Sequence, residues 1–133
     1  MDFKDVVEHN FVPVYTDMKL REVVYEVVRN SSRNIYPVLD RETHRLEGII
    51  LLDNIRHLIF ETDYYDKIPA LELMQKPPAV VQYGKDKMST VMDKFQQTGA
   101  WNLPVVRGGI YCGFISKSKL LSIYRRKLIF FTQ

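Results

Sequence analysis

The stretches that decide the fold are Ile35-Tyr36-Pro37-Val38-Leu39-Asp40 with Leu46-Glu47-Gly48-Ile49-Ile50, and Asn102-Leu103-Pro104-Val105-Val106 with Tyr111-Cys112-Gly113-Phe114-Ile115. Each pair consists of two short runs rich in β-branched and apolar residues, with a proline early in the first run and a glycine early in the second. The charged segment 40–45 and the Gly108-Gly109 pair suit tight turns between strands. The pattern therefore predicts two β-hairpins of one kind, which form an internal repeat.

Helical patterns flank both hairpins. Before each hairpin, apolar residues recur at helical spacing, as Leu20, Val23, Val24, Val27 and Val28 in the first copy and as Met88, Val91, Met92 and Phe95 in the second. A short strand precedes each of these helices, at residues 12–17 and 79–83. A second helix follows each hairpin, for which Asp53 or Asn54 is the expected N-cap in the first copy and Ser116 in the second.

The predicted order is therefore strand, helix, strand, strand, helix, and it occurs twice. Residues 1–60 form the first repeat with its lead-in, residues 61–78 form a connector with a short helix, and residues 79–133 form the second repeat with an extended C-terminal helix. Each repeat alone would bury little surface, so we expect the two to pack on each other with pseudo-two-fold symmetry. The predicted fold class is α+β.

Composition narrows the class of protein. The 133 residues are 46% hydrophobic and 26% charged, with a formal net charge of +3, as in ordinary globular domains. No apolar run reaches the roughly 18–20 residues that span a bilayer, and the N-terminus lacks the apolar core of a signal peptide. The single cysteine, Cys112, favours a reducing compartment and a buried structural thiol. These features favour a soluble, intracellular chain.

The repeat resembles the CBS domain, in the tandem arrangement called the Bateman module. Four blocks are similar to the CBS pairs at the cytoplasmic end of prokaryotic CLC-type chloride channels and transporters: residues 33–38, residues 48–56, residues 98–105, and residues 113–120 with Tyr124-Arg125-Arg126. The resemblance implies a regulatory module on the cytoplasmic side of the cell membrane, attached to a transmembrane anion-transport domain outside this chain. It also implies a homodimer. A stand-alone adenine-nucleotide sensor that regulates an enzyme partner is the alternative.

In CBS pairs, adenosine nucleotides bind in a cleft lined by a Gly-h-h-Ser/Thr-x-x-Asp pattern, where h is apolar. The resemblance therefore implies ATP, ADP or AMP as ligand. The chain departs from the pattern, because Leu51 and Asn54 stand at the hydroxyl and carboxylate positions of the first copy, and Lys119 replaces the carboxylate of the second. Ser116 keeps its hydroxyl beside a helix N-terminus that favours anions. The candidate nucleotide residues are Ser116, Lys119, Asn54, Thr16 and Tyr83.

Other residue types do not indicate catalysis or metal binding. The histidines His9, His44 and His57 lack metal-ligand spacing and are expected to be exposed. No serine has a Gly-x-Ser-x-Gly setting, so we expect no enzyme activity. The chain also lacks the basic and aromatic strand motif of nucleic-acid-binding proteins. Trp101 could stack on an adenine ring, but burial between the repeats is the favoured interpretation.

The C-terminal helix carries an apolar stripe. Its members are Leu121, Tyr124, Leu128 and Phe131. A helix that is apolar on more than one side needs a partner surface, which supports the predicted dimer.

Overall fold

The computed structural model describes residues 3–132, with side chains for residues 4–123 and Arg125. It contains helices and two three-stranded sheets, so the predicted α+β class is confirmed. The strands are β1 (Val14–Tyr15), β2 (Ile35–Leu39), β3 (Leu46–Leu51), β4 (Val81–Gln82), β5 (Asn102–Arg107) and β6 (Ile110–Ser116). The α-helices are α1 (Leu20–Glu22), α2 (Leu52–Ile55), α3 (Ala70–Leu73), α4 (Met88–Thr98) and α5 (Lys117–Thr132).

The two sheets repeat one topology. In the first, β1 pairs parallel with β2 and β2 pairs antiparallel with β3, in the order β1-β2-β3. In the second, the order is β4-β5-β6 and β4 pairs parallel with β5. The registers correspond, because Val14 lies opposite Val38 and Val81 lies opposite Val105. The internal repeat seen in the sequence is therefore a repeat of strand pairing as well.

The helix before the first hairpin is not α-helical throughout. After the single turn of α1, a π-helix runs over Val23–Val28, and the Arg29 N–H donates to the Val24 carbonyl at 3.0 Å. β-Branched side chains crowd the preceding turn of an α-helix, and this segment contains four valines, so a wider turn suits it. The apolar stripe is confirmed, since Leu20 and the first three valines are buried.

The chain forms two compact units. The first-hairpin unit consists of Asn10–Pro77 with Gly109–Tyr111, and the second-hairpin unit consists of residues 3–9, Pro78–Gly108 and the chain from Cys112 onward. Residues 3–9, which the sequence boundary grouped with the first repeat, thus pack in the unit of the second hairpin. The reason is a backbone bridge, in which Glu8 and Phe114 exchange hydrogen bonds of 2.7 and 3.0 Å.

Each hairpin unit has its own apolar core. Val14, Tyr36, Val38, Ile50 and Ile55 are among the buried residues of the first-hairpin unit. The core of the second-hairpin unit contains the buried residues Val6, Val7, Val81, Val91, Phe95, Leu103, Val105, Ile115 and Leu120. The lead-in valines Val6 and Val7 are therefore part of that core rather than a loose N-terminal extension.

The prediction that Asp53 or Asn54 caps α2 is wrong. Leu51 occupies the N-cap position of α2 and offers no side-chain hydrogen bond. Asp53 lies one position inside the helix, where its carboxylate accepts from Arg56 at 2.7 Å. The α-helical part ends at Ile55 and continues as a 3₁₀ turn over Arg56–Leu58. Among the described residues, no helix is both long and apolar enough to cross a bilayer.

Candidate functional site

Ser116 ends β6 and caps α5, as the sequence predicts. The Lys119 N–H donates to Ser116 Oγ at 3.2 Å, which satisfies one of the N–H groups that a helix start leaves unpaired. Lys117 is the first residue of α5, and its N–H donates to the Trp101 carbonyl at 2.9 Å. The start of the helix is thereby tied to the residue just before β5.

Trp101 is not buried, so that interpretation of the sequence is wrong. Its side chain is 71% exposed, and the Lys117 ammonium lies 5.4 Å from the centre of its ring. A cation at this distance from an indole face is attracted by the π-electrons. The structure therefore presents an accessible aromatic face directly beside the start of α5.

Two further polar groups lie on the elements that meet at this junction. Asn102, the first residue of β5, has a buried side-chain oxygen without a hydrogen-bond partner among the described residues. Lys119 Nζ lies 3.9 Å from the Glu8 carboxylate, at the outer limit of an ion pair. Sequence reasoning missed Asn102 and Glu8. Asn102 stands directly before the Leu-Pro-Val run and could have been suspected from its position, but no local signal connects Glu8 with Lys119.

The corresponding junction of the first-hairpin unit is different. Leu51 supplies no hydroxyl, and the Asn54 side chain donates to the Gln75 side-chain oxygen at 2.7 Å. Gln75 in turn pairs through its backbone with Ile49 on β3, at 2.8 and 2.9 Å. Asn54 thus uses one of its amide N–H groups to hold the connector against the sheet.

The remaining two candidate residues lie at the other ends of the sheets. The Thr16 N–H donates to the Leu39 carbonyl at 3.0 Å, and the Tyr83 N–H donates to the Val106 carbonyl at 2.8 Å. Leu39 is the last residue of β2, whereas Asn54 follows the last residue of β3, which runs in the opposite direction. In the second-hairpin unit, the structure brings Ser116 and Lys119 together and places Tyr83 at the other end of the sheet. In the first-hairpin unit, Thr16 and Asn54 lie at opposite ends of the sheet.

The described histidines and acidic residues are not clustered. All three histidines are exposed, as expected. Within the part of the chain that the structure describes, no three histidine, cysteine or acidic side chains lie close enough together to hold a metal ion. The groups that the structure places at the β6–α5 junction are the Trp101 ring, the Asn102 amide oxygen and the ammonium groups of Lys117 and Lys119.

Comparisons with known proteins identify the architecture. The family model described as "CBS domain" matches residues 3–61 and again residues 70–126. No curated protein matches the chain by sequence. The similar solved structures share its fold at low sequence identity.

Three of these structures illustrate the similarity. The CBS domain pair/ACT domain protein from Thermotoga maritima is 22% identical with a TM-score of 0.72, and the match covers 96% of this chain and 99% of that one. The CBS domain of a membrane protein from Sphaerobacter thermophilus is 21% identical with a TM-score of 0.71, covering 92% and 86% of the two chains. The CBS domain of a bacterial CNNM/CorC family Mg²⁺ transporter, solved in complex with ATP, is 12% identical with a TM-score of 0.73, covering 91% and 84%. With two matched CBS models that together cover most of its length, this chain belongs to the CBS domain family and is a tandem CBS pair.

Proposed function

We propose that this CBS pair is a non-catalytic regulatory module that binds an adenine nucleotide at the β6–α5 junction of its second repeat. The observation that carries the proposal is the exposed Trp101 ring beside the N-terminus of α5. An adenine ring can stack on the indole face, while the positive end of the α5 dipole and the Lys117 ammonium favour a phosphate. A base and a phosphate would thus each find a partner within a few residues.

The buried oxygen of Asn102 supports the same ligand class. A buried acceptor without a donor destabilises the folded protein, and an exocyclic amino or hydroxyl group of a nucleotide would supply that donor. The Lys119 side chain replaces the carboxylate of the family pattern, so a ribose has no carboxylate to bond at this position. Lys119 is 41% exposed and only loosely associated with Glu8, which leaves it able to approach a phosphate.

The module is expected to act on a transmembrane anion-transport domain of the CLC type. The support is the sequence resemblance of residues 33–38, 48–56, 98–105 and 113–120 with 124–126 to the CBS pairs of such proteins. A ligand regulates such a partner only if it binds one arrangement of the module better than another. The alternative is a stand-alone nucleotide sensor with an enzyme partner. The support for it is the match to the Thermotoga protein over 99% of that chain's length.

A thermal-shift titration with ATP, ADP and AMP tests nucleotide binding. A ligand at about 100 times its dissociation constant stabilises the folded state by about 2.7 kcal/mol, which corresponds to a rise in Tm of several degrees. We expect the Trp101→Ala variant to lose this rise. The matched control is Phe60→Ala, because Phe60 is also a highly exposed aromatic residue, at 85%, and lies in the first-hairpin unit. If no nucleotide raises the Tm of the wild-type protein at millimolar concentration, the nucleotide proposal fails.

The reading frame upstream of Met1 tests the choice of partner. A series of in-frame apolar segments, each about 20 residues long, is expected for the transport assignment. A stop codon immediately upstream of Met1 would contradict it and favour the stand-alone sensor. Neither result affects the thermal-shift test, so nucleotide binding and membrane attachment are decided separately.

A further inference from the structure

The second-hairpin unit contains a half-open cavity of about 290 Å³. Its lining residues are Lys4, Val7, His9, Tyr83, Arg107 and Cys112. Two of these side chains are permanently cationic, a third is an imidazole, and none is acidic. Burial raises the pKa of the Cys112 thiol despite the nearby Arg107 guanidinium, so the thiol is neutral at neutral pH. The lining of the cavity thus combines apolar side chains with positive charge.

The Arg107 guanidinium contacts an aromatic ring but forms no ion pair with a described carboxylate. Its guanidinium lies 4.5 Å from the centre of the Tyr83 ring, and no described Asp or Glu lies within ion-pair distance of it. The first-hairpin unit provides an informative contrast, because Arg41 lies 4.2 Å from the centre of the Tyr15 ring and also forms two hydrogen bonds of 2.7 and 2.9 Å with Asp17. Both arginines stack on a tyrosine, but only Arg41 is neutralised within the protein.

The register of the sheets shows why Arg107 has no counterpart to the Asp17 carboxylate that neutralises Arg41. Thr16 and Tyr83 occupy equivalent positions, since each donates its N–H to the last or next-to-last residue of the central strand. The following residue is Asp17 in the first repeat and Gly84 in the second. A Cβ atom built on Gly84 would lie 3.7 Å from an Arg107 guanidinium nitrogen. The second repeat therefore lacks a side chain at the position from which Asp17 acts in the first.

We propose that this cavity binds the phosphate group of a small molecule, with Arg107 as the principal ligand-binding residue and Lys4 as a second cation. A guanidinium stacked on a ring keeps its planar set of N–H donors, which match a phosphate bidentately. Two cationic side chains and an imidazole suit the double charge of phosphate better than the single charge of a carboxylate. The size of the cavity is at the lower end of that of small-molecule sites.

This site is separate from the β6–α5 junction. Arg107 ends β5 and Cys112 lies near the start of β6, whereas Ser116 ends β6. Cys112 and Ser116 are four residues apart on β6, which corresponds to about 13 Å along the strand. The phosphate site is thus expected at the turn end of the hairpin, and its existence does not depend on nucleotide binding at the other end.

Titration calorimetry of the whole chain with inorganic phosphate tests the proposal, with chloride at equal ionic strength as the reference. We expect saturable binding of phosphate that weakens about tenfold or more in Arg107→Gln, because a charged donor pair is lost. The matched control is Arg41→Gln, which removes the other tyrosine-stacked arginine and is expected to leave the affinity for phosphate unchanged. Circular dichroism melts of both variants check that they fold.

A second pair of variants tests the role of the missing carboxylate. In Gly84→Asp the new carboxylate lies beside Arg107 and is expected to weaken phosphate binding about tenfold or more, whereas the neutral Gly84→Asn keeps binding. Asp and Asn both tolerate the left-handed backbone that Gly84 adopts, with φ of +81°. Absence of saturable phosphate binding to the wild type, or wild-type affinity in both Arg107→Gln and Gly84→Asp, would overturn the proposal.

Discussion

At the scale of single residues, the two strand glycines have a steric function that the sequence does not reveal. A Cβ atom on Gly48 would lie 2.8 Å from Met74 Sδ and 2.9 Å from the Gln75 carbonyl oxygen. A Cβ atom on Gly113 would lie 2.6 Å from the Glu8 carbonyl oxygen. In both repeats a backbone segment from elsewhere in the chain crosses the strand at its glycine, and any side chain would obstruct that crossing.

We therefore expect Gly48→Ala to lower the free energy of unfolding by about 1–3 kcal/mol through overpacking. Urea denaturation followed by circular dichroism measures the change. The control is Glu47→Ala, because Glu47 is an exposed residue of the same strand and its substitution is expected to have a small effect. Equal stability of Gly48→Ala and the wild type would show that the connector does not need to approach the strand.

Ser116 is the residue at which sequence and structure agree most closely. Removing its hydroxyl in Ser116→Ala leaves the Lys119 N–H without its acceptor, so we expect a loss of about 1 kcal/mol in the free energy of unfolding. Chemical denaturation gives this value directly. Ser118→Ala, at an exposed position that is the second residue of the same helix, serves as control. A loss of the same size in Ser118→Ala would argue against a capping role.

At the scale of elements, a partly buried ion pair connects β4 with α4. Lys94 Nζ donates to Asp86 Oδ2 and to the Val80 carbonyl, each at 2.7 Å, and the Gln82 N–H also donates to Asp86 Oδ2 at 2.9 Å. Burial raises the pKa of Asp86, but the hydrogen bonds from Lys94 and Gln82 outweigh it and hold the pKa below its usual value. The Asp86 carboxylate therefore stabilises the folded state in its charged form.

The sign of this shift predicts the pH dependence. A carboxyl group whose folded-state pKa is lowered stabilises the protein above its unfolded-state pKa of about 3.9, and this stability is lost as the pH falls through the folded-state pKa. We expect Asp86→Asn to lower the free energy of unfolding by about 1–3 kcal/mol at neutral pH, with a difference from wild type that shrinks in acid. Denaturation curves at several pH values measure it. The exposed ion-pair variant Asp53→Asn is the control, with little expected change, and a pH-independent effect of Asp86→Asn would contradict the role of its charge.

At the scale of the whole molecule, the exposed apolar side chains support the predicted homodimer. Leu121 of α5 is 37% exposed, and Phe60 and Leu71 are also accessible. The other members of the predicted C-terminal stripe, Tyr124, Leu128 and Phe131, have side chains outside the described residues. Leu121 lies on the helix whose apolar stripe predicts a partner surface, and closed dimers are the commonest homo-oligomers.

Multi-angle light scattering tests the dimer. We expect a molar mass twice that of one chain, and a decrease toward the monomer on dilution if the association is reversible. Leu121→Lys is expected to weaken the dimer, since a charge replaces an exposed apolar side chain, while Glu47→Lys is the control on a strand. A monomer at high protein concentration would contradict the prediction.

The sequence by itself determined the local structure: two hairpins, the helices on either side of them, the α+β class and the CBS resemblance. Alternation, helical spacing and turn residues are local signals, so they identify elements without knowledge of their neighbours. Ser116 belongs to this group, because a helix cap involves residues only three positions apart.

The tertiary structure alone decided what the elements contact. The packing of residues 3–9 with the second hairpin, the exposure of Trp101, the Asn54–Gln75 contact and the uncompensated Arg107 each depend on residues far apart in sequence. No periodic pattern encodes such contacts, because backbone crossings and ion pairs are set by how the strands are registered. The absence of a carboxylate at Gly84 became meaningful only when that register placed the position beside a guanidinium.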